Sequence, residues 1–244
     1  MLIKPEVSLT SPTLSGDIKS FEGTQLEKLE LKGKVFGDIQ VFQKMKNLTR
    51  LILANSQVTG HLHVLEKLEH LDTLSLADTQ VVGHLSSMAG AIRMRLELSG
   101  TGVTGNLSDL IGHVRESGAS QNMAELMVLK LSRTRVTGNF GDLIPCRNLM
   151  ELDLSHTQVF GRIQQHWRGW FRNIRILQLR NSSVQFVPSA EDMKSVRAQW
   201  SSDRSLRRLT DLDLTHCTSD GRGTCYWVVF DSHGAVFCRV QKIC

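Results

Sequence analysis

Pairs of leucines separated by one residue recur along the chain and form its dominant hydrophobic pattern. After a weaker Val7/Leu9 copy, the pairs are Leu29/Leu31, Leu51/Leu53, Leu74/Leu76, Leu96/Leu98, Leu129/Leu131, Leu152/Leu154, Leu177/Leu179 and Leu212/Leu214. The second leucines of most successive pairs lie 22 or 23 residues apart, which indicates an internal repeat. Because successive side chains of a strand point to opposite faces, each pair predicts a short strand with both leucines inward and the intervening residue outward.

Two further positions are tied to each leucine pair. Seven residues after the second leucine the chain carries Gly16, Gly60, Gly83, Gly105, Gly138, Gly161 and Gly221, while Gly37 falls one residue short and Phe186 replaces the glycine in the eighth copy. Three residues after the second leucine it carries Ser56, Thr79, Thr101, Thr134, Thr157, Ser182 and Cys217. We expect these small polar side chains to bind backbone groups that a turn leaves unpaired, and the glycines to permit a bend with positive φ.

The clearest copies, LILANSQVTG, LSLADTQVVG, LELSGTGVTG, LKLSRTRVTG and LDLSHTQVFG, resemble the leucine-rich-repeat family. Their trailing V-x-G is similar to the plant-type subclass, and the resemblance runs from about Val7 to Gly221. It implies an α/β fold: a right-handed solenoid of about nine turns, with a parallel sheet on the concave face. Irregular or short helical segments would form the convex side.

Two insertions and a different tail interrupt the repeat. The insertion near 112–123 is polar and predicts an exposed excursion, while Met193, Val196 and Trp200 have helical spacing within the insertion near 187–205. The second insertion is either a short helix that covers the last turns or a protruding recognition element. We interpret 1–221 as the solenoid and 222–244 as a C-terminal β-hairpin cap, because the last turn of a solenoid needs covering.

Composition narrows the function without identifying it. A net charge of +5 on 244 residues is too small to indicate nucleic-acid binding by itself. No apolar run is long enough to span a membrane, and the first residues lack a secretory signal, which slightly favours an intracellular location unless a targeting segment is missing. No catalytic or nucleotide-binding motif occurs, so we expect no enzymatic activity, no small-molecule substrate and no cofactor.

One group of side chains near the C-terminus is of the types that bind a metal ion or form a disulfide: His216, Cys217, Asp220, Cys225, His233, Cys238 and Cys244. A zinc site needs four converging ligands, and the absence of a C-x-x-C pair weakens that interpretation. A disulfide within the tail is the second alternative, and it requires an oxidising compartment. We favour free buried cysteines and therefore predict no metal site.

The outward strand residues form the candidate binding face, largely because the family that the repeats resemble generally binds proteins there. The candidate residues are Lys28, Lys32, Arg50, Ser75, Arg95, Glu97, Lys130, Glu151, Asp153, Gln178, Arg180, Asp211 and Asp213. The early rows are net basic, the late rows are acidic, and the middle is small, which favours a convex protein partner. The sequence thus predicts a non-catalytic protein-binding or scaffold module of unspecified oligomeric state. The alternative is a ligand-binding fragment of a larger receptor or regulator whose effector domain lies outside this chain.

Overall fold

The computed structural model describes residues 5–89, 94–111, 125–163, 173–186, 211–213, 224–230 and 236–242. Its strands are β1 (Glu6–Asp17), β2 (Lys28–Asp38), β3 (Arg50–Ile52), β4 (Gln57–His61), β5 (Thr73–Ser75), β6 (Gln80–His84), β7 (Arg95–Glu97), β8 (Gly102–Asn106), β9 (Val128–Lys130), β10 (Arg135–Asn139), β11 (Glu151–Asp153), β12 (Gln158–Ile163), β13 (Ile176–Gln178), β14 (Ser183–Phe186), β15 (Asp211–Asp213), β16 (Thr224–Phe230) and β17 (Val236–Lys242). Each turn of the chain from β3 to β14, here called a rung, contributes one strand to each of two parallel sheets, and β1 and β2 run through both.

The first sheet is the predicted concave sheet of leucine-pair strands. Its order is β2, β3, β5, β7, β9, β11, β13 and β15, so strands adjacent in the repeat are adjacent in space. Equivalent leucines face one another across it, with Leu51 opposite Leu74 and Leu74 opposite Leu96. These leucines are at most 1% exposed, which confirms the inward register and the leucine-rich-repeat solenoid.

A second parallel sheet, which the sequence analysis did not predict, runs in the order β2, β4, β6, β8, β10, β12 and β14. Its strands carry the x-Val-x-Gly part of the repeat, and their valines, such as Val58 and Val136, are fully buried. The period-two alternation of that segment was the available signal. The sheet is staggered: Gly60 lies opposite Val81 rather than opposite the equivalent Gly83, so each strand is shifted by two residues.

The stagger explains the repeated glycine. Gly138 has φ 119°, and a Cβ there would lie 2.8 Å from the backbone nitrogen of Leu107 in the preceding rung. An L side chain is disfavoured by both the dihedral angle and the contact. By contrast, a Cβ on Gly16 in the first rung would have no neighbour within 4 Å.

Hydroxyl side chains close the turn that follows the first sheet. Each donates a hydrogen bond to the carbonyl of the second leucine, three residues earlier, as Thr134 does to Leu131 at 2.6 Å. The same bond is made by Ser56, Thr79, Thr101, Thr157 and Ser182. All six residues are buried, so the predicted backbone role of this position is confirmed for them.

Short helical segments complete the rungs on the remaining side. They are the 3-10 turns Ile18–Phe21, Ile39–Phe42, Leu62–Leu65, Leu85–Met88 and Phe140–Leu143, and the one-turn helix α1 (Leu107–Ile111). Asp38 and Asn139 cap two of them by accepting the amide two residues on, each at 2.8 Å. The apolar residues of these turns join the leucines and valines in one continuous core.

Several predictions fall on parts of the chain that the structure does not describe. The insertions near 112–123 and 187–205 lie outside the described residues, as does Cys217. β16 and β17 pair in an antiparallel hairpin, with Val228 opposite Cys238. That this hairpin caps the solenoid remains a prediction.

Candidate partner-binding face

The first sheet presents three parallel rows of outward residues, and the predicted site residues lie in them. The row before the first leucine of each pair includes Lys28, Arg50, Arg95 and Glu151. The row between the two leucines includes Ser75, Glu97, Lys130, Asp153 and Gln178. The row after the second leucine includes Lys32 and Arg180. Asp211 and Asp213 extend the first two rows on β15. In-register stacking therefore brings these residues onto one face, in the order that the repeat predicts.

Glu97 is the centre of a network at the middle of this face. Its carboxylate accepts a hydrogen bond from Ser75 Oγ at 2.7 Å and pairs with Arg95 at 2.6 Å and Lys130 at 3.6 Å. Lys130 also contacts Glu151, with 2.8 Å between Nζ and Oε2. Burial favours a raised pKa for Glu97, but the Ser75 hydrogen bond and the two cations hold its pKa below the ordinary value. The carboxylate is thus ionised and fixed in place.

A second network occupies the first rungs. Glu30 pairs with Lys32 at 2.7 Å and with Arg50 at 3.6 Å, and Lys28 pairs with Glu6 at 2.7 Å. The hydrogen bond from Lys32 lowers the pKa of Glu30, and the charges of Lys32 and Arg50 act in the same direction. Each of the cations Lys28, Lys32 and Arg50 in the early rows is therefore paired with a carboxylate, either Glu6 or Glu30.

The row after the second leucine is made of short side chains over five consecutive rungs: Ala54, Ala77, Ser99, Ser132 and Ser155. Ser99 is 9% exposed, and among the described residues its Oγ is the buried side-chain N or O atom without a hydrogen-bond partner. A row of short side chains beside a row of long ones forms a shallow channel across the strands. A ligand group that binds Ser99 Oγ would satisfy an atom that the protein leaves unpaired.

Turn residues line the other side of this channel, and the sequence analysis missed them. Asp78 and Arg133 both have positive φ, 54° and 57°, and the Arg133 guanidinium reaches Asp78 at 2.8 Å across the intervening rung. That rung carries Gly100, which has no side chain to obstruct the contact. In the following rungs, Asn181 Nδ2 lies 3.1 Å from His156 Nδ1. The signal available in the sequence was the residue two positions after the second leucine, which is Asn55, Asp78, Gly100 or Asn181 in four rungs, because Asn, Asp and Gly adopt positive φ most readily.

The remaining predicted residues differ in their surroundings. Asp153 accepts the amide of Ser155 at 2.9 Å, so its carboxylate partly serves the local turn. Arg180 is exposed, and its carbonyl accepts the amide of His156 at 2.7 Å. Ser75 is only 3% exposed, so its contribution to the face is the hydrogen bond that it donates to Glu97. The structure gives the backbone of Asp211 and Asp213 only.

Neither a cluster of metal-ligating side chains nor a membrane-spanning helix occurs in the part of the chain that the structure describes. No group of three His, Cys, Asp or Glu side chains there is arranged to hold a metal ion. No helix within the described ranges has the length and apolarity needed to cross a membrane.

Comparison with solved structures gives consistent neighbours. The leucine-rich-repeat ectodomain of the Arabidopsis receptor kinase HAESA, bound to an N-terminally extended IDA peptide hormone, is 22% identical with a TM-score of 0.62, covering 88% of this chain and 38% of that chain. HAESA in complex with IDA and the co-receptor SERK1 is 26% identical with a TM-score of 0.59, covering 74% of this chain and 30% of that one. A plant ice-binding protein is 19% identical with a TM-score of 0.56, covering 88% of this chain and 76% of its own.

No protein-family model matches the chain, and no curated protein sequence matches it. The chain spans between 30% and 38% of the length of the two HAESA chains. The repeat, the buried hydroxyls, the parallel sheets and the solved neighbours agree. The chain has the leucine-rich-repeat solenoid fold, and its repeat is similar to that of the plant-type subclass.

Proposed function

We propose that the chain is a non-catalytic binding module that holds a segment of a protein or peptide on the outward face of the first sheet. The observation that supports this most is the channel of short side chains between the Glu97 network and the Asp78–Arg133 pair. Both of its sides are held by hydrogen bonds and ion pairs before any ligand arrives. A fixed surface loses less conformational entropy on binding than a mobile one, which favours affinity.

The chemistry of the channel indicates the kind of partner. Its floor is small and uncharged, whereas its sides carry both signs of charge. An extended segment with small side chains toward the floor and polar groups toward the sides would fit this arrangement. The HAESA neighbours were solved with a peptide hormone, which supports a peptide or protein ligand here.

The test begins with capture of partners from the native source on the immobilised chain, identified by mass spectrometry. Binding of each purified partner is then measured for Ala77→Trp, which fills the channel floor. The matched control is Ile144→Trp, because Ile144 is 41% exposed and lies away from both sheets. We expect Ala77→Trp to weaken binding at least tenfold and Ile144→Trp to leave it unchanged, with equal melting temperatures. Equal affinities for the two variants would refute the channel as the site.

A second candidate is a ligand-binding fragment of a larger receptor or regulator. The observation that favours it is that the chain spans only 30% and 38% of the two HAESA chains. Sequencing the full-length transcript tests it directly. A membrane helix or an effector domain encoded beyond either end would support this candidate, and a transcript that encodes this chain alone would exclude it.

A further inference from the structure

Ser99, in the floor of the channel, has a hydroxyl group without a hydrogen-bond partner. It is the outward residue after the second leucine of its rung, and only 9% of it is exposed. Its neighbour in the preceding rung, Ala77, has no polar side-chain atom, and its own carbonyl already accepts the amide of Asp78 at 2.7 Å. Among the described residues, Ser99 Oγ is the buried side-chain nitrogen or oxygen that remains unpaired. A buried unpaired hydroxyl is destabilising, so it indicates a position where a ligand group binds.

A cation lies beside this hydroxyl. The Arg133 guanidinium crosses the rung of Gly100, the residue after Ser99, and contacts Asp78 with 2.8 Å between Nη2 and Oδ1. Asp78 Oδ1 lies directly over Gly100, because a Cβ added there would collide with it. The glycine therefore leaves room for a carboxylate oxygen in the turn that follows Ser99.

The chain thus supplies both a receptor for a carboxylate and a carboxylate that partly fills it. A guanidinium can hold a carboxylate in a bidentate pair of parallel hydrogen bonds. The contact between Asp78 and Arg133 is a single nitrogen–oxygen contact, and it leaves the Ser99 hydroxyl unused. A ligand carboxylate in the same place would bind both donors, which Asp78 does not do.

The contact between Asp78 and Arg133 is readily exchanged. The Asp78 side chain is 45% exposed and that of Arg133 is 61% exposed, and exposed ion pairs contribute little to stability. Only the Asp78 side chain has to rotate, because its turn is held by the backbone hydrogen bond from its amide to the Ser99 carbonyl. Release of Asp78 therefore leaves the backbone of the channel unchanged.

We infer that Ser99 and Arg133 form a carboxylate-binding subsite in the channel, which Asp78 occupies while no ligand is bound. This inference rests on the proposed function, since it names the chemical group of the bound segment that docks at the middle of the channel. A carboxylate of that segment displaces Asp78, pairs with the Arg133 guanidinium and accepts a hydrogen bond from Ser99 Oγ. Asp78 is thus an internal competitor that lowers the apparent affinity for such a ligand.

Titration of the isotope-labelled chain with sodium acetate, followed by NMR, tests the subsite without any partner. Sodium chloride is replaced by sodium acetate at constant ionic strength. We expect the Nε–Hε resonance of Arg133 to shift and saturate. The resonance of Arg50 should shift less, because the ion pair of Arg50 with Glu30 has no unpaired buried hydroxyl beside it.

Three variants identify the groups that bind acetate. Asp78→Asn should tighten acetate binding at least about threefold because it removes the competitor, and asparagine tolerates the positive φ of this position. Ser99→Ala should weaken acetate binding at least about threefold without changing the melting temperature, since Ser99 Oγ has no hydrogen bond to lose. Ser155→Ala, in the same row two rungs away, is the matched control and should bind acetate like the wild type. The absence of a saturating shift at Arg133, or an acetate affinity that either Asp78→Asn or Ser99→Ala leaves unchanged, would overturn the inference.

Short peptides distinguish the source of the carboxylate. Acetyl-Gly-Glu-Gly-amide carries a side-chain carboxylate, acetyl-Gly-Gly-Gly carries a terminal one, and acetyl-Gly-Gln-Gly-amide carries none. The peptide that shifts the Arg133 resonance at the lowest concentration identifies the source, and equal binding of all three would contradict the inference.

The subsite and the proposed function fail separately. Weaker partner binding by Ala77→Trp together with no acetate response at Arg133 would refute the subsite and leave the channel as the binding site. Equal partner binding by Ala77→Trp and Ile144→Trp together with a saturating acetate response would refute the channel as the partner's site and leave the carboxylate subsite.

Discussion

The two sheets are built from the same repeat, yet they present different surfaces. The first sheet stacks equivalent residues in register, so that outward charges on neighbouring rungs meet and pair, as Glu97 and Lys130 do. The second sheet is shifted by two residues at each strand and carries glycines with positive φ, so that Thr59 lies opposite Gln80 and Val82 lies opposite His61. Register thus determines which side chains become neighbours, and the same repeat produces one face with equivalent residues in register and one face with them staggered.

The largest effect that tests this comparison is in the shared core. Leu98 under the first sheet is fully buried, so Leu98→Ala should destabilise the protein by about 2–5 kcal/mol through lost burial and a cavity. Ser99→Ala, one residue on, should cost about 0.5 kcal/mol or less, because Ser99 Oγ has no hydrogen-bond partner to lose. Urea denaturation measures both, and similar losses would mean that the inward and outward assignments are wrong.

The next largest effect on stability is expected at Gly138, in the staggered second sheet. Gly138→Ala should cost about 2–4 kcal/mol, because φ 119° is strained for alanine and the new Cβ would crowd Leu107. The control is Gly16→Ala at the same repeat position, where a Cβ meets open space and little change is expected. If the two variants have the same melting temperature, the stagger of the second sheet does not explain why the repeat carries a glycine at this position.

Two threonines three residues apart, Thr134 and Thr137, test the turn and the outward face of the second sheet separately. Thr134→Val should cost about 1–2 kcal/mol, since it removes a buried hydroxyl that donates to the Leu131 carbonyl. Thr137→Val on the outward face of the second sheet should change stability by about 0.5 kcal/mol or less. Thermal unfolding of the two variants compares them, and a larger loss for Thr137→Val would contradict the assignment.

The smallest effect concerns the charge network of the first sheet. Because the pKa of Glu97 is lowered in the folded state, its ionised form contributes stability above the ordinary glutamate pKa of about 4.3, and this contribution is lost as the pH falls through the folded-state pKa. Glu97→Gln should therefore cost about 0.5–1 kcal/mol at pH 7, and the difference from the wild type should shrink below about pH 4. Denaturation from pH 3 to pH 7 measures this, with the exposed Glu66→Gln as control. A stability difference that does not depend on pH would show that the ion pairs are not its cause.

Much of the architecture could be predicted from the sequence because it depends on local spacing. Leucine pairs such as Leu96/Leu98 indicate an inward face by simple alternation, and their period of 22 or 23 residues requires stacked rungs. The hydroxyl of Thr134 and its acceptor at Leu131 are three residues apart, so the sequence alone indicated a side-chain bond to backbone at this turn, although not which carbonyl accepts it. Gly138 was likewise recognised as a bend.

The tertiary structure alone decided how residues from different rungs meet. The two-residue stagger of the second sheet, the pairing of Glu97 with Lys130 and the reach of Arg133 across Gly100 to Asp78 all join positions at least 21 residues apart. Such contacts depend on the register between strands and on the length of each side chain, neither of which is encoded in the repeat period. The repeat therefore determined what each rung looks like, and the stacking of rungs determined which charges are paired and which apolar groups remain exposed.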